Sequence, residues 1–182
     1  RDRLVCFLHV LHLKKEPDTA RAYLLRAAAH ERAGNVDAAA ADFETAARKG
    51  LQRGLLRPRA LLYARHNKLP EAIELLEEYL LTQNPEDDHA RIWLHLLRRR
   101  RKIADNEALA GFVQARGDAA DPWAKEIFAY LLGQLTAAEL RQRATATKDP
   151  FRRRGRECEA LFYTAQTELL NGNSARAKDL LE

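Results

Sequence analysis

Apolar and polar residues alternate along most of this chain with the three- to four-residue spacing of amphipathic helices. We predict helices over residues 4–13, 19–33, 36–48, 57–66, 70–81, 87–101, 106–115, 122–132, 136–143 and 174–182. The charged segment 145–155, which contains Asp149 followed by Pro150, is predicted to be a loop. The pattern therefore predicts pairs of helices joined by short turns.

Three segments repeat one spacing of small and large residues around a turn residue, which is Gly34, Asn67 or Gly172. Each turn residue has an alanine seven positions before it, an alanine five positions after it and a large apolar residue nine positions after it: Ala27, Ala39 and Phe43; Ala60, Ala72 and Leu76; Ala165, Ala177 and Leu181. Alanines on both helices let an antiparallel pair approach closely, and Gly or Asn tolerates a left-handed turn. The spacing predicts repeated helix hairpins.

Composition agrees with an all-helical protein. The chain has 32 Ala and 29 Leu but only 4 Val and 4 Ile, and β-branched residues are the ones that favour strands. With 46% hydrophobic residues the chain is able to bury a core, which argues against a disordered protein. The longest apolar run, residues 4–13, is about half of what a membrane span requires, so we predict no transmembrane segment.

The formal net charge of +5 permits contact with anions without demonstrating it. Two basic runs, 98–102 and 152–156, are candidate phosphate contacts, although a run at a helix end is also an ordinary solvated surface. Trp93 and Trp123 lie in apolar helical patterns and are interpreted as core residues rather than base-stacking platforms. The chain begins with Arg1 and has no methionine, so we expect a processed form or part of a longer array.

Candidate chemistry is sparse. Cys6, His9 and His12 form a possible zinc stripe on one predicted helix, but they diverge around it and lack a fourth ligand, so we predict no metal. Cys6 and Cys158 do not make a disulfide framework and leave the redox compartment open. The sequence has no phosphate loop and no serine- or zinc-hydrolase motif. We therefore predict a protein that is not an enzyme and has no cofactor.

The repeated spacing resembles the tetratricopeptide repeat, a helix–turn–helix unit of about 34 residues. The matching residues are Ala27, Gly34, Ala39, Phe43 and Ala46; Ala60, Asn67, Ala72, Leu76 and Pro85; and Ala165, Gly172, Ala177 and Leu181. Three positions depart from the family pattern: Tyr23 replaces Trp, Arg26 replaces Leu and Leu51 replaces Pro. The resemblance implies an α-solenoid, a right-handed superhelix of stacked hairpins. Its units would be 1–17 (half), 18–51, 52–85, 86–120 and 121–149 (both degenerate), and 150–182 (truncated).

In that family the first helices of successive hairpins line a concave groove that binds peptides or protein segments. The resemblance places these residues in the groove: Arg21, Leu24, Ala28, Glu31, Arg32, Arg57, Leu61, Arg65, Phe162 and Gln166. The Lys and Asn that clamp a terminal carboxylate in one member type are replaced by Leu24 and Ala28, so that mode is not expected. We expect a scaffold or adaptor that binds a protein or peptide and works in a multiprotein assembly or homo-oligomer. The alternative is a basic helical repeat that binds nucleic acid or another polyanion.

A second resemblance covers residues 93–181, whose aromatic and turn positions are similar to the C-terminal half of bacterial tetratricopeptide lipoproteins of the new lipoprotein I type. The matching residues include Trp93, Trp123, Tyr130, Gly133, Phe162, Tyr163 and Gly172. Those proteins are envelope adaptors that bring proteases and cell-wall hydrolases to their targets. The resemblance implies a bacterial envelope location, and the cytoplasm is the alternative because the lipid-bearing cysteine of that family is not visible.

Overall fold

The computed structural model describes residues 19–51 and 54–182. These residues form ten α-helices, which confirms the prediction of an all-helical fold. The predicted helix over 4–13, with the candidate zinc stripe of Cys6, His9 and His12, lies outside the described residues. The chain divides into two compact units, Arg1–Pro85 and Glu86–Glu182, which we call unit 1 and unit 2.

Unit 1 contains four described helices: α1 (Ala20–Arg32), α2 (Val36–Ala46), α3 (Leu56–Arg65) and α4 (Leu69–Thr82). Thr19 begins α1 as its N-cap, since its hydroxyl accepts a hydrogen bond from the Ala22 amide at 3.2 Å. Pro70 lies in the first turn of α4, where a missing N–H costs little. After α2 the chain leaves the helix through a π-type turn, Ala47–Leu51, in which Gly50 has a φ of 105°.

Unit 2 contains six helices: α5 (Asp88–Arg100), α6 (Asn106–Arg116), α7 (Pro122–Leu131), α8 (Ala137–Thr145), α9 (Pro150–Leu170) and α10 (Ser174–Asp179). The side chains of Asp87, Asp121 and Asp149 cap α5, α7 and α9. Thr136 and Glu139 form a capping box at the start of α8. Hydrogen bonds from the Thr136 backbone and side chain lower the pKa of Glu139.

The predicted loop over 145–155 is wrong from residue 150 onward. Pro150 opens α9, and Asp149 caps this helix by accepting hydrogen bonds from the amides of Phe151 at 2.9 Å and Arg152 at 3.3 Å. Proline fits the first helical position because the amide proton it lacks would have no partner there. The Asp-Pro pair therefore starts a helix here, and the charged segment after it is helical. The final helix, α10, ends at Asp179 rather than at residue 182.

One turn geometry recurs at five places in the described part of the chain. The turns join α1 to α2, α3 to α4, α5 to α6, α7 to α8 and α9 to α10, and their central residues have positive φ: Gly34, Asn67, Lys102, Gly133 and Gly172. In each, the next amide donates back to a carbonyl five residues earlier, at 2.8–2.9 Å. These are Schellman C-caps, which satisfy the last carbonyls of the first helix. The described helices therefore form five helix–turn–helix pairs.

The repeated alanines lie in the interior. Their exposed fractions are at most 1% for all six: Ala27, Ala39, Ala60, Ala72, Ala165 and Ala177. Phe43 and Leu76 are also buried, whereas Leu181, which follows the end of α10, is 57% exposed. A methyl group in place of a larger side chain lets the two helices of a pair pack at close range. The alanine spacing is therefore a packing signal in the pairs that contain it.

The unit 2 core is centred on aromatic and branched side chains. Ile127 and Phe128 of α7 are fully buried, and Phe112 of α6 packs edge-on against Phe128 with ring centroids 5.9 Å apart. Trp123 is 6% exposed, and its indole Nε1 donates a hydrogen bond to Glu159 Oε2 at 2.8 Å. The interpretation of Trp123 as a core residue is confirmed by this burial.

Candidate functional site

Eight of the predicted groove residues lie on α1 and α3, the first helices of the two hairpins of unit 1. On α1 they are Arg21, Leu24, Ala28, Glu31 and Arg32, and on α3 they are Arg57, Leu61 and Arg65. An ion pair between Glu31 and Arg65 joins the two helices. This contact shows that Glu31 and Arg65, which belong to separate hairpins, lie next to each other.

The residues on the Glu31 side of α1 and on the Arg65 side of α3 define a candidate surface. Residues three or four positions apart, and seven or eight positions apart, lie on one side of a helix, so the sides that end at Glu31 and Arg65 continue toward the start of α1 and α3. We call this surface the α1–α3 face; it consists of Leu24, Ala28 and Glu31 with Arg57, Leu61 and Arg65.

The α1–α3 face combines apolar and basic groups. Leu24, Ala28 and Leu61 are half-buried, and Arg65 is exposed, as are the neighbouring Arg21 and Arg32. Leu24 also packs against the unit 1 core, so it has a structural role besides lining the face. Half-buried apolar side chains offer area to a ligand, and the guanidinium groups around them attract carboxylates.

Two further ion pairs hold the hairpins of unit 1 together. Arg59 of α3 donates to Glu44 of α2 at 3.1 Å, and Lys68 donates to Asp37 at 2.5 Å. The hydrogen bond between the last two groups lowers the pKa of Asp37 and raises that of Lys68. Exposed pairs of this kind contribute little energy individually. Together with the Glu31–Arg65 pair they connect the second hairpin to the first at three points.

The two predicted groove residues of unit 2 lie on α9. The Phe162 ring centroid is 5.6 Å from that of Trp93 on α5 and 5.2 Å from that of Tyr163. Phe162 is half-buried and packs against the unit 2 core, and Gln166 follows four residues later on the same stripe, also half-buried. Phe162 therefore connects α9 to α5, and Gln166 extends this surface along α9.

Unit 2 also holds a buried ionic cluster that the sequence analysis missed. Arg91, His95 and Arg98 lie on one stripe of α5, and all three side chains contact Asp105, the residue before α6. His95 Nδ1 donates to Asp105 Oδ2 at 2.8 Å, and an Arg91 guanidinium nitrogen lies 3.0 Å from the same oxygen. The side chains of His95 and Asp105 are fully buried. The spacing of the three basic residues was visible in the sequence, but their shared partner was not.

The cluster sets the ionisation of its members. Burial would raise the pKa of Asp105, but the hydrogen bonds from His95 and Arg98 and the charges of Arg91 and Arg98 outweigh burial and lower this pKa. Burial lowers the pKa of Arg91 despite its contact with Asp105. His95 Nε2 and Arg91 Nη1 are buried without a hydrogen-bond partner among the described residues. Because its carboxylate is committed to α5, Asp105 does not cap α6.

The two basic runs are used differently. In the run 98–102, Arg98 is committed to the buried cluster, while Arg99 and Lys102 line an open cleft of about 620 Å³. In the second run, Arg152, Arg153 and Arg154 are all exposed in the first turns of α9. Arg156 instead lies over the Trp123 ring, 5.3 Å from its centroid. Three consecutive arginines of α9 therefore face solvent.

In the described ranges, 19–51 and 54–182, no three His, Cys, Asp or Glu side chains are placed to hold a metal ion. No helix in these ranges has the length and apolar character needed to cross a membrane. Cys158 is an exposed free thiol and not a core residue.

No model of a known protein family matches the chain, and no curated protein is similar enough to count as a match. Function is therefore inferred from the packing and charge of the described residues. Two surfaces stand out for this purpose: the α1–α3 face of unit 1 and the exposed arginines at the start of α9.

Proposed function

We propose that this chain is a tetratricopeptide-like array, an α-solenoid of stacked helix hairpins, and that it serves as a non-catalytic protein-interaction scaffold. Two observations support the assignment. The described residues contain five helix–turn–helix pairs with the same Schellman turn. The alanines at the small positions of the repeat are buried in the three pairs that carry them. In repeat arrays of this type the stacked first helices provide an extended binding surface.

The proposed binding site is based on the Glu31–Arg65 ion pair. This ion pair joins the last turns of the first helices of two successive hairpins, which supports the side-by-side arrangement that a groove of this family requires. The face beside it has an apolar centre around Ala28 and Leu61 and exposed arginines at Arg21 and Arg32. Its ligand would be an extended or helical peptide with apolar anchors and acidic groups.

A displayed library of random peptides, selected on the immobilised protein, tests the proposal. We expect the selected peptides to be enriched in Leu, Phe, Asp and Glu. Leu61→Arg should weaken the binding of a selected synthetic peptide by at least about tenfold, because it removes apolar area from the centre of the face. Leu61 is preferred to Leu24 because Leu24 also supports the core.

Leu81→Arg is the matched control. Leu81 is 83% exposed near the end of α4, so the same substitution there adds a charge without touching the α1–α3 face. We expect its peptide affinity to equal that of the wild type. The proposed site is wrong if both variants weaken binding equally, or if no peptide is enriched over a bare surface.

A further inference from the structure

The start of α9 presents basic and aromatic side chains together. Residues 151–155 are all exposed, and Phe151 is 88% exposed. We call Phe151, Arg152, Arg153 and Arg154 the α9 tip. A phenylalanine this exposed gains nothing from the core of its own fold, so its apolar surface is available to a partner.

The fold gives the arginines of the α9 tip few partners among the described residues, and these contacts are long: Arg153 Nε donates to the Thr147 carbonyl at 3.4 Å. Successive helical residues point about 100° apart, so Arg152, Arg153 and Arg154 are spread over about 200° of the helix circumference. Arg152 Nε lies 3.6 Å from Asp149, whose carboxylate already accepts hydrogen bonds from two α9 amides. The positive end of the α9 dipole disfavours cations at this position, whereas the negative end of the α5 dipole favours the arginines that end that helix. An anionic partner would relieve this repulsion.

We propose that the α9 tip binds single-stranded nucleic acid, with the arginines contacting successive phosphates and Phe151 stacking on an unpaired base. Basic groups beside an exposed aromatic ring are the combination that single strands need. A guanidinium suits this role because its planar donors match phosphate oxygens. The proposal concerns a surface on unit 2 and does not rest on the peptide-binding role of the α1–α3 face.

The residues on the same side of α9 as Phe151 indicate whether the partner is a nucleic acid or a membrane surface. A helix that lies in a membrane interface needs a continuous apolar face. Here the stripe continues from Phe151 to Arg154, Gly155 and Cys158, which are all exposed. A single large apolar residue next to three arginines favours a nucleic acid over a membrane surface as the partner.

Fluorescence anisotropy with labelled oligo(dT) and oligo(U) of about 16 nucleotides tests the proposal. We expect binding by the full chain at about 50 mM salt that weakens as salt rises, with a logarithmic slope near −2 for about three phosphate contacts. Phe151→Ala should weaken binding about tenfold, and Phe151→Trp should retain it, because both aromatic rings stack on a base. The triple variant Arg152→Glu, Arg153→Glu and Arg154→Glu should abolish it.

A second run of three arginines supplies the matched control. Arg99→Glu, Arg100→Glu and Arg101→Glu changes the net charge by the same amount and leaves the Arg98–Asp105 contact intact. We expect this variant to bind the oligonucleotides nearly as well as the wild type. Circular dichroism and thermal melting of every variant verify that the helices are retained.

Three results would overturn the proposal: no oligonucleotide binding at about 50 mM salt, equal weakening by the two triple variants, or unchanged affinity of Phe151→Ala. Vesicles of phosphatidylserine and phosphatidylcholine form a parallel arm. Binding to vesicles without binding to oligonucleotides, lost in the α9 triple variant, would assign the tip to a membrane surface instead.

Discussion

Arg26 of α1 and Asp42 of α2 form a bidentate ion pair across the first hairpin. The Arg26 Nε donates to Asp42 Oδ2 at 2.7 Å and its Nη2 donates to Oδ1 at 2.5 Å. The Asp42 side chain is 7% exposed and that of Arg26 is 37% exposed. In the proposed tetratricopeptide register Arg26 stands where leucine is typical, so a charged pair between the helices takes the place of an apolar contact.

We expect Arg26→Leu to reduce the free energy of unfolding by about 2 kcal/mol, because the buried Asp42 carboxylate loses its guanidinium partner. His30, at 3.8 Å, is too distant to replace it. Urea denaturation followed by circular dichroism measures the change. The double variant Arg26→Leu/Asp42→Leu should recover most of the loss by restoring an apolar contact. Equal stability of Arg26→Leu and the wild type would show that the pair contributes nothing.

Ala27→Leu tests the close approach of α1 and α2. Ala27 is 0% exposed, so the larger side chain must push the helices apart, at a cost of about 1–3 kcal/mol in the free energy of unfolding. Ala41→Leu is the control, since Ala41 is exposed on α2 and the substitution there should change stability by no more than about 0.5 kcal/mol. Thermal melting of both variants gives the comparison. A neutral Ala27→Leu would contradict the close packing.

Lys102→Gly should stabilise the protein by about 1 kcal/mol. Lys102 has a φ of 59° in the turn between α5 and α6, a left-handed conformation that costs energy for any residue with a Cβ. Gly133→Ala is the reverse change at the equivalent turn, where φ is 75° and an added Cβ would meet no atom of the described residues within 4 Å. We expect it to cost about 1 kcal/mol for the backbone conformation. A higher urea midpoint than the wild type for Lys102→Gly and a lower one for Gly133→Ala would verify both expectations.

The lowered pKa of Asp105 predicts a loss of stability in acid. A carboxyl group whose folded pKa lies below its unfolded value of 3.8 stabilises the protein fully above that value. The stabilisation is lost as the pH falls from 3.8 through the folded pKa. Urea midpoints measured between neutral pH and this range should fall steeply at the acid end.

High salt distinguishes the contribution of Asp105 to the acid effect from that of exposed carboxylates whose pKa values are also lowered. Asp37 pairs with Lys68 at the surface, so about 1 M NaCl should screen its share of the acid effect. Asp105 is buried, so its share should persist at high salt. If high salt removed the entire acid dependence, the cluster around Asp105 would not be its source. The wild-type protein suffices for this comparison, so it does not depend on whether an Asp105 variant folds.

Helices and turns were predictable because their signals are local. The alanine spacing around Gly34 and Asn67 placed α1 to α4 to within two residues at each end. The error at 145–155 arose because an Asp-Pro pair is compatible with a loop and with a helix start. The side chain of Asp149, which accepts two amide hydrogen bonds, decides for the helix.

Interactions between distant residues were not predictable in the same way. The run 98–102 was interpreted as one basic patch, but Arg98 contacts Asp105 in the interior and its neighbours lie in a cleft. Arg26 was noted as a departure from the family pattern, and its partner Asp42 became visible only in the packed hairpin. The Glu31–Arg65 contact likewise needed coordinates, although both residues had been predicted to share a face.

The recurring turn affects how the chain folds during its synthesis. Each Schellman ring closes over six consecutive residues, so a hairpin needs only nearby sequence to reach its final geometry. A polypeptide emerging from the ribosome could then complete one module while the next is still being translated, with little waiting for distant segments. Synthesis itself would thus set the order of assembly, from the Gly34 module toward the Gly172 module.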